Sequence, residues 1–360
     1  MSSAYIATFD SSAESGTSRL GGKGAALLTM TRAGAPVPPG FVVTTDAFEA
    51  LLDRGGLRRV VDAAFSGLAA DPGAVAARGA EMRRLVREGP VPSSVASAVT
   101  AAYEELCGAV GSPDGAVAVR SSAEGEDSPE ASCAGQHDTF LWIRGADAVL
   151  DAVRRCWASL WTDRAIIYRA ARGLQQTGLS MAVGVQQMVD ARTSGVAVTV
   201  NPADGDPSKI VVEAIWGLGQ LMVSGQVTPD THLLDKVLLT TVRTTVSPKH
   251  QELVSAPDRY GLVRRAVEES RRQVPCLAPS EVVEIARLAK TAERHFGFPQ
   301  DIEWAIARDQ HASPGATVQL LQTRPETVGS RRPRNSAWTS HGAGVSSIID
   351  TMLGPGRLPA

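Results

Sequence analysis

The spacing of apolar residues along the chain changes from a helical period to a strand period. Between residues 57 and 110, Ala, Val and Leu recur at helical spacing among Arg and Glu, and the breakers DPG and GPVP divide this region. Further helices are predicted at 145–173 and at 279–296. The first half of the chain is therefore predicted to be largely helical.

Short apolar or alternating runs predict the strands. The first half contains two of them, FVVTT at 41–45 and a buried-type run that ends at Arg120, and the spacing of Asp46 and Glu49 predicts a capping box for the helix after FVVTT. More strands are predicted after residue 180, in MAVGVQQMV, SGVAVTVNP, KIVVEAIWGLG, HLLDKVLLTTVRTTV, DIEWAIA and TVQLLQTRP. This change in pattern predicts two lobes and a tail or docking segment, at 1–180, 181–328 and 329–360.

Lys23 stands in a glycine-rich stretch, GGKGAA, that is predicted to open a helix. The chain has five lysines among 36 basic residues, and Lys23 is the sole lysine in the first 208 positions. Backbone N–H groups at a helix start together with an ammonium group favour binding of a phosphate. The spacing matches neither the P-loop nor the GxGxxG fingerprint, so an ordinary solvated turn is the alternative interpretation.

The segments DIEW and QTR are predicted to pair as a hairpin. Residues two apart in a strand share a face, so Asp301 and Glu303 point the same way, as do Gln322 and Arg324. If paired positions sum to 625, Glu303 faces Gln322 and Asp301 faces Arg324. Such oxygen ligands suit Mg2+, and Arg neutralises phosphoryl charge. The alternative is a surface hairpin with a cross-strand ion pair of little energetic value.

Several other features carry weaker signals. Arg120 could clamp a phosphate or simply reach solvent at the end of its strand, and Glu213 lies on a buried-type strand before the turn WGLGQ. VQQMV at 185–189 is either a hinge strand whose backbone reads an adenine edge or a plain core strand. The long acidic loop after Arg120 is of a kind that is functional or disordered.

The composition of the chain argues against two classes of binding partner. The net charge is -2 with no basic cluster, which argues against nucleic acid and against an anionic membrane surface. The four cysteines form no CxxC pair, no 18-residue apolar run appears, and the polar N-terminus lacks the features of a signal peptide. We therefore expect a reduced, cytoplasmic setting.

Seven motifs, in this order, resemble the N-terminal ATP-binding (ATP-grasp) domain of the phosphoenolpyruvate synthase, pyruvate phosphate dikinase and rifampicin phosphotransferase family. They extend from about Leu20 to Pro325 and read LGGKGAAL, GAPVPPGFVVTTDAF, VRSSAEGEDSPEASCAGQ, VQQMVDARTSGVAVTVNP, IWGLGQ, DIEWAI and LQTRP. The resemblance implies an α+β fold with the two lobes of an ATP-grasp nucleotide-binding domain. The sequence differs from the family pattern at Cys133, where an aromatic residue is usual, and at Gln220, where Glu is usual.

The resemblance also implies a role for particular residues. Lys23, Arg120 and Arg324 would contact the phosphates and the phosphoryl group in transfer, and Glu303 and Gln322 would hold Mg2+ with Asp301 nearby. Glu213 would reach the adenosine. The phosphate-covering loop would include Ser132, Gly135 and Gln136, and the adenine segment would be Gln186, Gln187, Met188 and Val189.

The implied function is that of an ATP-dependent transferase acting through a partner. The chain would use ATP and Mg2+ to phosphorylate a histidine on a separate protein, with release of AMP and phosphate, and that partner would phosphorylate a small hydroxylated molecule. The TSH segment at 339–341 lacks the glycine-rich lead-in of a phosphocarrier histidine. A self-sufficient ATP-grasp ligase and a catalytically silent nucleotide-binding module are the alternatives, and the sequence leaves open whether the chain is a natural subunit or a truncated domain.

Overall fold

A computed structural model describes most of the chain. The described residues are 4–11, 16–65, 72–123, 127–128, 131–132, 138–256, 258, 261–308, 318–327 and 329–331. Ten α-helices lie within them: α1 Thr17–Arg32, α2 Thr45–Asp53, α3 Leu57–Phe65, α4 Pro72–Glu88, α5 Ser93–Ala109, α6 Ala146–Ala158, α7 Asp163–Ala171, α8 Gln220–Val223, α9 Glu269–Arg272 and α10 Pro279–Phe296.

Fifteen strands accompany these helices in the described part of the chain. They are β1 Ile6–Thr8, β2 Gly40–Val43, β3 Val117–Ala123, β4 Asp127–Ser128, β5 Ala131–Ser132, β6 Thr139–Ile143, β7 Met181–Gln187, β8 Ala191–Val198, β9 Lys209–Trp216, β10 Asp230–Asp235, β11 Thr241–Thr245, β12 Gln251–Ser255, β13 Leu262–Ala266, β14 Gln300–Ala307 and β15 Gln319–Pro325. Helices and mainly antiparallel sheets confirm the predicted α+β class.

The described residues divide into two compact units that interleave along the chain. Unit 1 takes its residues from 1–28, 39–126 and 135–188, and unit 2 takes its residues from 29–38, 127–134 and 189–360. This division differs from a single cut near residue 180, because β7 pairs with β2 and β3 inside the sheet of unit 1. The assignment of the phosphate-binding loops to the lobe at 1–180, and of the adenine and Mg2+ sites to the lobe at 181–328, stays a prediction.

Unit 1 is built on a five-stranded antiparallel sheet with the order β1-β2-β7-β3-β6. One face of this sheet packs against the helices α2 to α7. Three aromatic residues of that core lie together: the ring centroids of Trp157 and Trp161 are 5.7 and 6.2 Å from the ring centroid of Phe48. The Trp157 indole N–H donates to the carbonyl of Met181 at 3.1 Å, which ties α6 to β7.

Unit 2 is built on a six-stranded antiparallel sheet with the order β11-β10-β9-β8-β14-β15. Helix α10 packs on one face of this sheet, where Ile302, Trp304 and Ile306 of β14 meet apolar residues of the helix such as Ile285 and Ala289. The predicted helix at 279–296 is confirmed, because its apolar residues recur at the helical period. Short hairpins, β4–β5 and β12–β13, form separate two-stranded sheets.

The structure corrects two local predictions. The strand predicted at 41–45 ends at Val43, and the capping box is wrong: Thr44 is the N-cap, Asp46 accepts from Arg19, and Glu49 pairs with Arg58. The run from 232 to 246 forms two strands rather than one. Its turn is closed by the Asp235 carboxylate, which accepts the N–H groups of both residues that follow Lys236, each at 3.0 Å.

Candidate functional site

The polar residues of unit 1 lie on the sheet face opposite the helical core. Arg120 pairs with Gly184 and Ala118 pairs with Gln186, so the side chains of Arg120 and Gln186 share that face. Successive side chains of a strand point to opposite faces of the sheet, and Val117 and Val119, which alternate with Ala118 and Arg120, face the core. The prediction that Arg120 ends its strand is wrong, because β3 continues to Ala123.

A glycine kink in α1 brings Lys23 beside β3. The helix begins at Thr17, earlier than predicted, and Gly21 interrupts it with φ of 66°. A Cβ at Gly21 would lie 1.8 Å from the carbonyl oxygen of Ser122, so only glycine fits this approach. Lys23 Nζ donates to the carbonyl of Ser121 at 3.4 Å, one residue after Arg120. The structure thus places the Lys23 ammonium beside the strand that carries Arg120, the other cation that the sequence predicts as a phosphate contact.

The side chain of Ser122 fixes this approach. Its hydroxyl accepts from the N–H of Gly24 at 2.9 Å and donates to the carbonyl of Leu20 at 2.8 Å, so it bridges the two sides of the kink. Sequence inspection missed Ser122 as a positioning residue. The small hydroxyl residues directly after Arg120 were the available signal.

The predicted adenine segment contains a buried glutamine amide and backbone N–H groups that already donate hydrogen bonds within the protein. Gln186 is 3% exposed, and its amide Nε2 has no hydrogen-bond partner among the described residues. The N–H groups of Gln187 and Met188 donate to the carbonyls of Pro39 and Ala116, each at 2.9 Å. Those two N–H groups are therefore occupied, and a ligand would meet other atoms of the segment. Val189 follows, and it begins the last stretch of the chain that belongs to unit 2.

The hairpin of unit 2 has the predicted register. Glu303 pairs with Gln322 and Asp301 pairs with Arg324, so both paired positions sum to 625 as expected. Glu303 also pairs with Val196 on β8, and Val196 pairs with Glu213 on β9. We call the side chains of Glu213, Glu303 and Gln322 the carboxylate row, since they cross the sheet in one line on the face opposite α10.

Asp301 and Arg324 form an ion pair beside the carboxylate row. Arg324 donates to Asp301 Oδ2 from Nη2 at 2.7 Å and from Nε at 2.9 Å. Burial raises the pKa of the Asp301 carboxyl, and the Arg324 charge opposes that rise. Asp301 is therefore already engaged by a cation, which is consistent with the prediction that it lies near the metal ligands and is not the principal one.

Glu213 is a buried acid without a compensating cation. It is 3% exposed, and its carboxylate has no hydrogen-bond or ion-pair partner in the described part of the chain. Burial raises its pKa to about 7, and the negative charge of Asp301 adds to the rise. A buried, unpartnered carboxyl that titrates near neutrality is a common property of binding and catalytic sites.

The residues present fit Mg2+ in a limited way. No group of three or more His, Cys, Asp or Glu side chains in the described residues is arranged to hold a metal. Mg2+ does not need one, because it keeps several waters and binds one or two protein oxygens together with substrate phosphates. The directly paired Glu303 and Gln322 supply such oxygens.

Part of the predicted loop lies outside the described residues. This applies to Gly135 and Gln136, whose proposed roles stay predictions. For Ser132, the structure describes the backbone alone, which pairs with Asp127 in the β4–β5 hairpin.

A fully buried ion pair was not predicted. Lys249 Nζ donates to Asp230 Oδ1, both side chains have 0% exposure, and the other Asp230 oxygen accepts the N–H of Cys276 at 2.8 Å. The N–H of Ser247 donates to Asp230 as well, at 3.0 Å. These hydrogen bonds hold the segment after β11 and the segment before α10 against Asp230, the first residue of β10. The scarcity of lysine was the available signal, and it drew attention to Lys23 alone.

Comparisons with known proteins identify the family of the chain. The family model described as the pyruvate phosphate dikinase AMP/ATP-binding domain matches residues 17–341. A probable phosphoenolpyruvate synthase of Methanothermobacter thermautotrophicus is 40% identical over 325 residues, which are 90% of this chain and 46% of that protein. The phosphoenolpyruvate synthases of Aeropyrum pernix and Escherichia coli are 40% and 36% identical, over 87% and 91% of this chain and 41% and 42% of their own.

The chain therefore spans less than half the length of these relatives. None of the described helices is both long enough and apolar enough to cross a membrane. The predicted resemblance and its ATP-grasp fold are confirmed by a match that covers all of the motifs quoted above. The chain belongs to the pyruvate phosphate dikinase AMP/ATP-binding domain family.

Proposed function

We propose that the chain binds ATP with Mg2+ and starts a dikinase-type phosphoryl transfer to a histidine on a separate protein. Overall, ATP, water and the histidine would yield AMP, inorganic phosphate and phosphohistidine. The partner would then phosphorylate a small hydroxylated molecule. The observation that carries the proposal is the hairpin register, which sets Glu303 opposite Gln322 and Arg324 opposite Asp301 on one polar face.

The proposed roles follow from charge and placement. Lys23 and Arg120 would bind phosphate oxygens, since the kink at Gly21 holds the lysine beside the strand that carries the arginine. Glu303 and Gln322 would hold Mg2+, which when bound would neutralise phosphate charge. Arg324 would stabilise the phosphoryl group in transfer. Phosphoryl transfer depends on such positioning and electrostatics more than on covalent chemistry by the protein.

The relatives support the reaction class. Proteins named phosphoenolpyruvate synthase match this chain over about nine tenths of its length, so the proposed activity is that of their ATP-binding portion. The amide Nε2 of Gln186 is a buried polar group without a partner among the described residues, and a nucleotide would satisfy it. We assign Gln186 to the nucleoside on that basis, and Glu213 on the family resemblance.

The test mixes the chain, ATP, Mg2+ and a histidine-bearing partner, and follows AMP and acid-labile phosphohistidine. The proposal expects both products, and their loss in Glu303→Ala. Glu284→Ala is the matched control, because Glu284 lies exposed on α10 with a side-chain exposure of 51%. ADP formation without a partner, stimulated by a carboxylic acid, would indicate a ligase. Tight ATP binding without turnover under any condition would indicate a silent module, and either result would overturn the proposal.

A further inference from the structure

The strand that carries Gln322 and Arg324 changes its alternation part of the way along. Val318, directly before β15, and Leu320 within it belong to the apolar core against α10. Strict alternation would place Gln322 and Arg324 on that same face, because these four residues follow one another at steps of two. In the structure both lie on the other face, in the cross-strand pairs described above. The alternation of β15 is therefore broken between its core half and its site half.

A β-bulge at Leu321 breaks the alternation. Glu303 pairs with Gln322, but the next residue of β14, Trp304, pairs with Leu320. Between these two pairs β15 therefore has one residue more than β14, and this residue is Leu321. A bulge bends its strand and increases the local twist. The bend lies directly beside the Glu303–Gln322 pair that we assign to the metal.

The packing of unit 2 does not require this extra residue. In a chain without Leu321, Gln322 would follow Leu320 directly, and a regular ladder would keep every present pair of β14 with β15. The core face and the polar face would keep their residues as well. What the bulge changes is the bend and twist of the strand beside the Glu303–Gln322 pair. Bulges are frequent next to active sites, where they re-aim a side chain.

A buried hydrogen bond fixes the place of the bulge. The Thr323 hydroxyl donates to Oε1 of Gln300 at 2.7 Å, and both side chains are buried on the side of α10. Gln300 is itself held in place. Its backbone N–H donates to the Thr199 hydroxyl at 2.9 Å, and its side-chain amide donates to the carbonyls of Phe298 and Pro299 at 3.3 and 3.4 Å. The acceptor for Thr323 therefore has a fixed position.

We propose that Thr323 and Gln300 are positioning residues of the candidate site, because their hydrogen bond holds the bulge at Leu321. A bulge displaced to the end of β15 would break this bond and turn Gln322 and Arg324 toward α10. Held in place, the bulge sets the angle at which Gln322 meets its cross-strand partner. The inference rests on the proposed function, since the roles of Gln322 and Arg324 come from it.

Hydrogen exchange of the full chain, without ATP or metal, tests the hold on the bulge. In Thr323→Val, which keeps the branched shape, the amides of residues 321–324 are expected to exchange roughly two- to tenfold faster, the effect of losing one hydrogen bond. Thr323→Ser keeps the hydroxyl and should exchange as the parent does. Thr193→Val is the matched control, because Thr193 is buried in the same sheet and its hydroxyl donates to the carbonyl of Ile215 at 2.9 Å. Unchanged exchange at 321–324 in Thr323→Val would overturn the proposal.

Binding of Mn2+, a paramagnetic substitute for Mg2+, tests the link to the site. In the presence of ATP, with free Mn2+ followed by electron paramagnetic resonance, Thr323→Val is expected to bind Mn2+ about tenfold more weakly than the parent. This is the lower end of the losses that follow removal of a group supporting a metal ligand. Thr323→Ser and Thr193→Val should bind as the parent does, and equal affinities of Thr323→Val and Thr193→Val would refute the positioning role.

Deletion of Leu321 separates the site from the stability of the fold. The deletion makes the ladder regular, so the melting temperature is expected to stay the same or rise while the affinity for Mn2+ with ATP falls. Unchanged Mn2+ affinity in a folded deletion variant would show that the bulge does not serve the site. A parent chain that binds no Mn2+ with ATP would overturn the proposed function, and the exchange measurement on Thr323→Val would still decide whether Thr323 holds the bulge.

Discussion

Replacing Glu213 with Gln is expected to stabilise the folded protein at neutral and alkaline pH. Glu213 is buried on β9 and has no cation beside it in the described residues. Burial and the charge of Asp301 raise its pKa from the ordinary 4.5 to about 7, so the folded protein holds this proton more tightly than the unfolded chain does. Glutamine keeps the size and removes the charge.

The size of the effect follows from that difference in pKa. A rise from 4.5 to about 7 is about 2.5 pH units, and each unit corresponds to about 1.4 kcal/mol. Because the folded state binds the proton more tightly, Glu213 lowers the free energy of unfolding as the pH rises between these two values. Glu213→Gln should be more stable than the parent by under about 1 kcal/mol at pH 5 and by roughly 3 kcal/mol at pH 8.5.

Urea unfolding of both proteins from pH 5 to pH 8.5, followed by circular dichroism, measures this difference. Glu284→Gln on the exposed side of α10 is the control, and its difference from the parent should stay small and vary little with pH. A stability difference for Glu213→Gln that is the same at all pH values, or a loss of stability at pH 8.5, would refute the electrostatic account. The variant should also bind ATP more weakly if the proposed nucleoside contact is correct.

Two further substitutions test the parts of the fold that hold the candidate site. Lys249→Met leaves the buried Asp230 carboxylate without its cation, so chemical denaturation should show a loss of about 3–5 kcal/mol; a loss below 1 kcal/mol would contradict the assignment. Gly21→Ala should lower both the melting temperature and ATP affinity, because the new methyl group overlaps the Ser122 carbonyl. Gly34→Ala, with a similar φ of 78° and no heavy atom within 4 Å of the new methyl group, should cost only the strain of that backbone conformation, and equal effects would show that the contact is unimportant.

The hairpin register was predictable from sequence because its determinants are local. DIEW alternates polar and apolar residues, and Gln322 and Arg324 lie two apart on one face of their strand, so a one-residue slip would turn these side chains to the wrong face. Two strands joined by a single connection leave few ways to pair. The cross-strand pairs Glu303–Gln322 and Asp301–Arg324 therefore followed from the residue pattern and were confirmed.

The place of Glu213 was not predictable in the same way. Glu213 joins the carboxylate row because β8 lies between β9 and β14, and this strand order depends on the pairing of β8 with β14, whose partners Val196 and Glu303 are 107 residues apart in the chain. Local pattern marks β9 as a buried strand but gives neither its neighbours nor its register. The Lys249–Asp230 pair was missed for a related reason, since each partner appears in sequence as an ordinary surface charge.

The core of unit 2 is what fixes the geometry of its polar face. In β14, Ile302, Trp304 and Ile306 have 0% exposure on the side of α10, and Asp301 and Glu303 alternate with them on the other side. A shift of β14 by one residue would bury two carboxylates against α10 and expose an indole and two isoleucines. Each buried apolar side chain contributes about 1.5–3 kcal/mol, so the register that aligns Glu303 with Gln322 and Val196 is enforced by packing on the opposite face. The positions of the candidate metal ligands therefore depend on residues that never contact the ligand.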